Sequence, residues 1–117
     1  MSLTYLTHKG KRVLFIDYTQ CKNTNEMLKV LDLVRQEYEK SIGPFLALND
    51  FTGTYGSSDF LNAAQKHKDL FDAKTSKTAV LGIVGIKKIL LNGYNAFVKK
   101  KQMPFDTKEE ALDYLVK

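Results

Sequence analysis

Three short apolar runs, at residues 12–18, 45–51 and 78–84, each lead through a polar or glycine-bearing break into a stretch whose apolar residues recur at the helical period. A nearly continuous apolar strand has to be covered on both faces, and strands separated by amphipathic helices pair in parallel through crossovers. Val13-Leu14-Phe15-Ile16 and Thr78-Ala-Val-Leu-Gly-Ile-Val84 therefore predict central strands. In the last run the β-branched and aliphatic content decides strand over helix. This pattern restricts the chain to an α/β sandwich, a mainly parallel central sheet flanked by helices.

The remaining elements fall into place around those strands. Residues 3–7 and 12–18, separated by His8, Lys9, Gly10 and Lys11, predict an N-terminal antiparallel hairpin whose first strand is an edge. Asn23 with Glu26 is a capping-box-like helix start. Met27, Leu31, Val34 and Tyr38, widened by Leu28, Val30 and Leu33, then give an amphipathic helix ending near Lys40, stopped by Gly43-Pro44. Ser57 or Ser58 caps a second helix with Phe60, Ala64, His67 and Phe71 on one face, and residues 73–77 read as a polar connection. Gly85 opens a long helix predicted to turn Ile86, Ile89, Leu90, Gly93 and Phe97 inward. Gly93 costs about 1 kcal/mol relative to Ala there, which a close backbone approach would offset. Residues 102–105 predict an edge strand because they contain Pro104, and Thr107 with Glu110 caps a closing helix that buries Ala111, Leu112 and Leu115.

With 117 residues, 44% of them hydrophobic, the chain fits one domain over residues 1–117 with a core that needs no staples. Cys21 is the lone cysteine, so no intramolecular disulfide forms and a reducing, cytoplasmic location is expected. The N-terminus lacks signal-peptide order, and the longest apolar stretch, residues 79–86, is far short of the roughly 20 residues that span a bilayer, so no transmembrane segment is expected. A net charge of +5 and a pI near 9.3 favour anionic contacts. Lys87 and Lys88 open the long helix and Lys99, Lys100 and Lys101 close it, without interleaved aromatics. That excludes a specific nucleic-acid module and leaves weak attraction to phosphate or an anionic surface.

Function is expected at the strand C-termini, where open α/β sheets bind ligands. Asp17 and Asp50 stand there, but no histidine, cysteine or lysine completes a catalytic set, and such residues commonly cap turns. No catalytic residue is predicted. Asp50, Thr52, Gly53, Tyr55 and Gly56 form a candidate recognition loop. Ser57 and Ser58, with Thr52 and Thr54, are candidates for phosphorylation at a helix start, the alternative being that one serine is simply an N-cap. His67 and His8 offer no credible ligand set, and no metal or cofactor is expected. Cys21 precedes a helix beside Lys22, a position that lowers a thiol pKa, although a lone cysteine is more often inert. Leu91, Tyr94 and Val98 recur beside Asn95 on the other side of the long helix. They are read either as buried under the closing helix or as a homodimer or partner interface.

Three segments carry a family resemblance: Leu48-Asn-Asp-Phe-Thr-Gly53, Gly85-Ile-Lys-Lys-Ile-Leu-Leu-Asn-Gly-Tyr-Asn-Ala-Phe97 and Phe105-Asp-Thr-Lys-Glu-Glu-Ala-Leu-Asp-Tyr-Leu115. With the element order, they resemble STAS domains, the fold of anti-sigma-factor antagonists, and more closely the single-domain SpoIIAA-like proteins, whose fold is shared in part with CRAL-TRIO lipid-binding domains. The resemblance implies a non-enzymatic regulatory or protein-interaction module. The antagonists carry a phosphorylated serine in Asp-Ser-Ser or Asp-Ser-Ala-Gly, whereas here Gly56-Ser57-Ser58-Asp59 places the acid after the serines. The location is therefore shared and the modification is not implied. Two further readings stand beside this one: a carrier of a small apolar or lipid-like ligand, and a small enzyme using Asp17 and Asp50.

Overall fold

The computed structural model describes residues 2–117. Strand β1 (Leu3–His8) pairs antiparallel with β2 (Lys11–Asp17), Leu3 opposite Ile16 and His8 opposite Lys11. Helix α1 (Thr24–Lys40) leads to β3 (Phe45–Asp50). Helices α2 (Ser58–Lys66) and α3 (Lys68–Lys74) lead to β4 (Thr75–Leu81). Helix α4 (Ile86–Asn95), strand β5 (Gln102–Phe105) and helix α5 (Lys108–Val116) complete the order. The sheet runs β1-β2-β3-β4-β5, with β2 through β5 parallel. This is the α/β sandwich with a leading antiparallel hairpin that the run pattern predicts.

The two-residue period of the strands sends Leu14, Ile16, Phe45 and Ala47 to one face and Val13 and Leu48 to the other, and all six are buried. Met27, Leu31 and Val34 of α1, Phe60 and Ala64 of α2, and Tyr94 and Val98 cover the first face. Ala111, Leu112 and Leu115 of α5 cover the second. Burial on both faces is why these strands show no polar alternation. The helix starts follow their caps. Asn23 Oδ1 accepts the Glu26 amide at 2.9 Å, and Thr107 Oγ1 accepts the Glu110 amide at 3.2 Å, each cap contributing about 1 kcal/mol.

Three details differ from the sequence expectation. The second helix breaks at His67, whose N–H turns back to the Ala64 carbonyl before α3 begins. Residues 75–77 belong to β4 rather than to a connection. Their polar groups are satisfied inside the fold: Thr75 Oγ1 lies 2.9 Å from the Tyr38 hydroxyl, and Lys77 Nζ donates to the Tyr114 carbonyl at 3.2 Å. Finally, β4 stops at Leu81 because Gly82 turns the chain at φ +79°. A Cβ at Gly82 would stand 2.4 Å from the Thr52 amide nitrogen, so both the conformation and the space demand glycine.

The largest correction concerns α4, whose two apolar sides are exchanged. Leu91, Tyr94 and Val98 are buried in the chain's own core, whereas Ile86, Ile89 and Phe97 are 59%, 67% and 65% exposed. Gly93 meets no atom within 4 Å, so it makes no close approach. Asn95, expected beside the interface residues, instead clamps the start of β5: its side-chain amide donates to the Gln102 carbonyl at 3.0 Å and accepts the Gln102 N–H at 2.9 Å. Periodicity finds both apolar sides of such a helix but does not say which faces in. That choice is made by tertiary contacts at the two helix ends.

Candidate functional site

The C-terminal ends of β2 and β3 are closed by their own carboxylates. Asp17 Oδ1 accepts the Thr19 amide at 2.7 Å and the Thr19 hydroxyl at 2.6 Å. Asp50 Oδ1 accepts the Thr52 amide at 3.0 Å and its hydroxyl at 2.6 Å. Both acids hold the chain as it leaves the sheet, the capping role such residues take in turns.

Beyond Asp50 the candidate recognition loop seats on α4. A Cβ at Gly56 would lie 2.7 Å from Ile86 Cγ2 and 2.8 Å from Leu90 Cδ1. Glycine is therefore what lets this backbone touch the helix. Lys87 Nζ donates to the Phe51 carbonyl at 3.0 Å, fixing the first turn of α4 to the same loop. Burial pushes the Lys87 ammonium below its usual pKa, with the Asp50 carboxylate opposing that shift. The structure thus joins two regions that the sequence presents separately. Tyr55 on the loop is 81% exposed, and Val84, Ile86, Ile89 and Phe97 are also exposed, while Lys88, Lys99, Lys100 and Lys101 are exposed at the two ends of the strip. Lys99 and Lys100 are held there by their backbone amides, each 3.0 Å from the Asp72 carboxylate.

The four phosphorylation candidates stand in different surroundings. Thr54 is buried and donates its hydroxyl to the Phe51 carbonyl at 2.7 Å. The Thr52 hydroxyl is held by Asp50. Ser57 is the cap of α2: its Oγ accepts the Phe60 amide at 3.1 Å and lies 3.0 Å from Thr24 Oγ1, tying the starts of α1 and α2 together. Ser58 is exposed on the first turn of α2.

Behind the loop, between the first sheet face and α1, α2 and α4, lies a pocket of about 100 Å³. Its apolar wall includes Met27, Leu31, Phe60, Ala64 and Leu91. Two aromatic groups border it, Tyr18 stacked on Phe51 at 4.5 Å and Tyr38 stacked on Phe45 at 4.1 Å. Tyr18, Asn49 and Thr78 also line it, although each is at most 8% exposed. Burial raises the phenols of Tyr38 and Tyr94 to about 12 and pushes Tyr18 upward as well. None of Tyr18, Asn49 and Thr78 stands out in the sequence as a pocket residue. The pocket's one sequence signal is a polar Asn49 inside an otherwise apolar strand.

Elsewhere, burial raises the Cys21 thiol, with Glu26 and Asp17 adding to the shift, so Lys22 does not activate it. His67 is half-buried with its ring 6.1 Å from Phe71, and His8 Nε2 lies 2.7 Å from Asp113 Oδ1. Among the described residues no three histidine, cysteine, aspartate or glutamate side chains group as metal ligands, and no helix is long and apolar enough to cross a membrane.

No family model matches the chain, and no curated protein matches it. Its structure is similar to a solved structure from Shewanella loihica PV-4, described as an uncharacterized protein from the DUF3478 family with a SpoIIAA-like fold. The TM-score is 0.69 at 19% sequence identity, covering 97% of this chain and 91% of that one. With the sheet order and the antiparallel leading hairpin, that likeness establishes that this chain has a SpoIIAA-like fold.

Proposed function

We propose that this chain is a non-enzymatic protein-interaction module that binds its partner through the outer face of α4 and the adjoining loop. The observation that carries the reading is the exposure of five large apolar side chains, Tyr55, Val84, Ile86, Ile89 and Phe97, on α4 and the segments flanking it. Contiguous exposed apolar surface rimmed by polar groups marks interaction sites. The rim is basic at both ends, which favours a partner presenting an apolar ridge flanked by carboxylates. An antiparallel pairing of two α4 helices would set Lys88 against the Lys99 to Lys101 run of the other copy, so a second copy fits less well. Commitment of Asp17 and Asp50 to turn capping supports a role without catalysis.

Photo-crosslinking from position 97 in native cells tests the reading. The expected result is a discrete protein adduct with an acidic binding segment, weakened by salt and lost in Ile89→Asp. An adduct that survives Ile89→Asp removes the reading. A homodimer by light scattering, or co-sedimentation with anionic vesicles in place of a protein adduct, would reassign the face. A carrier role is favoured by the pocket alone. At about 100 Å³ it is smaller than the roughly 150 Å³ cavity that holds benzene, so it suits a small ligand and not a lipid chain.

A further inference from the structure

We propose that the pocket behind the loop is a binding site for a small uncharged amphiphile: a short apolar chain ending in a neutral hydrogen-bonding group such as an alcohol or primary amide. The argument does not depend on what covers the outer face of α4. Asn49 pairs with Ile16 of β2 and Val80 of β4, and Thr78 pairs with Ala47, so both side chains belong to the sheet face turned toward α1, α2 and α4. Tyr18 lies two residues beyond Ile16, with its amide on the Asp50 carbonyl at 3.0 Å. All three line the pocket, at 2%, 8% and 7% exposure for Tyr18, Asn49 and Thr78.

Among the described residues, no partner lies within hydrogen-bonding geometry of the Tyr18 hydroxyl, the Asn49 amide or the Thr78 hydroxyl. Of the other buried hydroxyls, Tyr38 pairs with Thr75, Thr54 with the Phe51 carbonyl, and Tyr94 has the Gln102 side chain as its hydrogen-bonding neighbour. Among the described residues no fully enclosed side-chain polar atom lacks a partner, so the free atoms of these three pocket-lining groups are open to the pocket. A buried amide or hydroxyl without a partner costs roughly 1–3 kcal/mol, which natural cores avoid. Three polar groups open to one small apolar pocket therefore offer hydrogen bonds to whatever enters it, in competition with water.

The lining restricts its chemistry. The opposite wall is aliphatic and aromatic, which suits a short chain. The charged side chains of the lining, Asp72, Lys87 and Lys100, are all at least partly exposed. The Asp72 carboxylate is engaged by the Lys99 and Lys100 amides, Lys87 Nζ by the Phe51 carbonyl, and Lys100 is exposed. Deep in the pocket there is no counter-ion for a charged head, and an unpaired buried charge is far costlier than an unpaired dipole. The volume of about 100 Å³ limits the ligand to a short chain of a few carbons.

The test is a chemical-shift titration of the full chain with 1-butanol, butyramide and butyrate. Saturable shifts at Ala47, Asn49, Thr78 and Leu91 are expected for the two neutral probes, with butyrate about tenfold weaker or absent. Asn49→Leu is expected to weaken the neutral probes about tenfold, the worth of one good hydrogen bond. Thr78→Val and Tyr18→Phe, which keep shape and remove one hydroxyl, serve as folded alternatives. Shifts confined to Ile86, Ile89 and Phe97, no saturation with any probe, equal binding of butyrate, or unchanged affinity in all three variants would each overturn the proposal. Asn49→Leu should also raise Tm without ligand, and a folded variant with lowered Tm would count against a free amide at this site.

Discussion

Replacing Gly93 by alanine should stabilise the protein, the reverse of what its position in a mostly apolar helix suggests. Gly93 sits in α4, two residues before its end, and a Cβ there meets no atom within 4 Å. The substitution therefore incurs no packing penalty, and its effect reduces to helix propensity and the narrower unfolded ensemble. In a helix interior that difference is about 0.8–1 kcal/mol, and fraying near the end trims it toward about 0.5. For a domain of this length the gain corresponds to a rise in Tm of about 2–4 °C. Urea titration followed by circular dichroism reads it directly, with a higher midpoint and an unchanged slope. Destabilisation by about 1 kcal/mol or more would refute the reasoning, because it would mean that Gly93 packs inward. The outer face would then carry Leu91, Tyr94 and Val98, and the proposed interface would be withdrawn.

Gly82→Ala should be strongly destabilising. A Cβ 2.4 Å from the Thr52 nitrogen at φ +79° combines left-handed strain with overpacking against backbone, about 2–5 kcal/mol in the same urea assay. Leu91→Ala should cost about 2–5 kcal/mol, and Ile89→Ala should stay within about 0.5 kcal/mol; the two values exchanged would place α4 the other way round. The phenols of Tyr38 and Tyr94, raised to about 12 by burial, stabilise the fold fully below the unfolded value of about 10, and that stability is lost as pH rises through 12. Alkaline titration should therefore show phenolate absorbance appearing together with loss of helical signal between those values. The raised thiol of Cys21 should react with a disulfide reagent more slowly than free cysteine at neutral pH, and faster reaction would contradict its environment.

Most of the fold was readable because it rests on strong local signals: the doubly apolar runs at Val13 to Ile16 and Phe45 to Leu48, and caps at Asn23, at Ser57 or Ser58, and at Thr107, of which the hydrogen bonds select Ser57 at the second. What was not readable depends on contacts distant in sequence. The orientation of α4 follows from Gly56 against Ile86 and from the Asn95 amide on Gln102, neither visible in a helical period. Thr75 and Lys77 look like loop residues until Tyr38 and the Tyr114 carbonyl supply their partners. The loop was located correctly as the exit of β3, but its tie to α4 and the pocket behind it appear only when Tyr18, Asn49 and Thr78 come onto one face.

The distribution of helices over the sheet also bears on how the protein is made. Every helical residue of the second core layer comes from α5, which follows all five strands in the chain. As the polypeptide leaves the ribosome, α1 and α2 can settle on their side of the sheet early. Val13, Leu48 and Ala79, however, stay uncovered until α5 has emerged. The nascent chain thus carries a greasy half-sheet until α5 emerges, and chaperone binding to stalled chains should cease once residue 116 clears the exit tunnel.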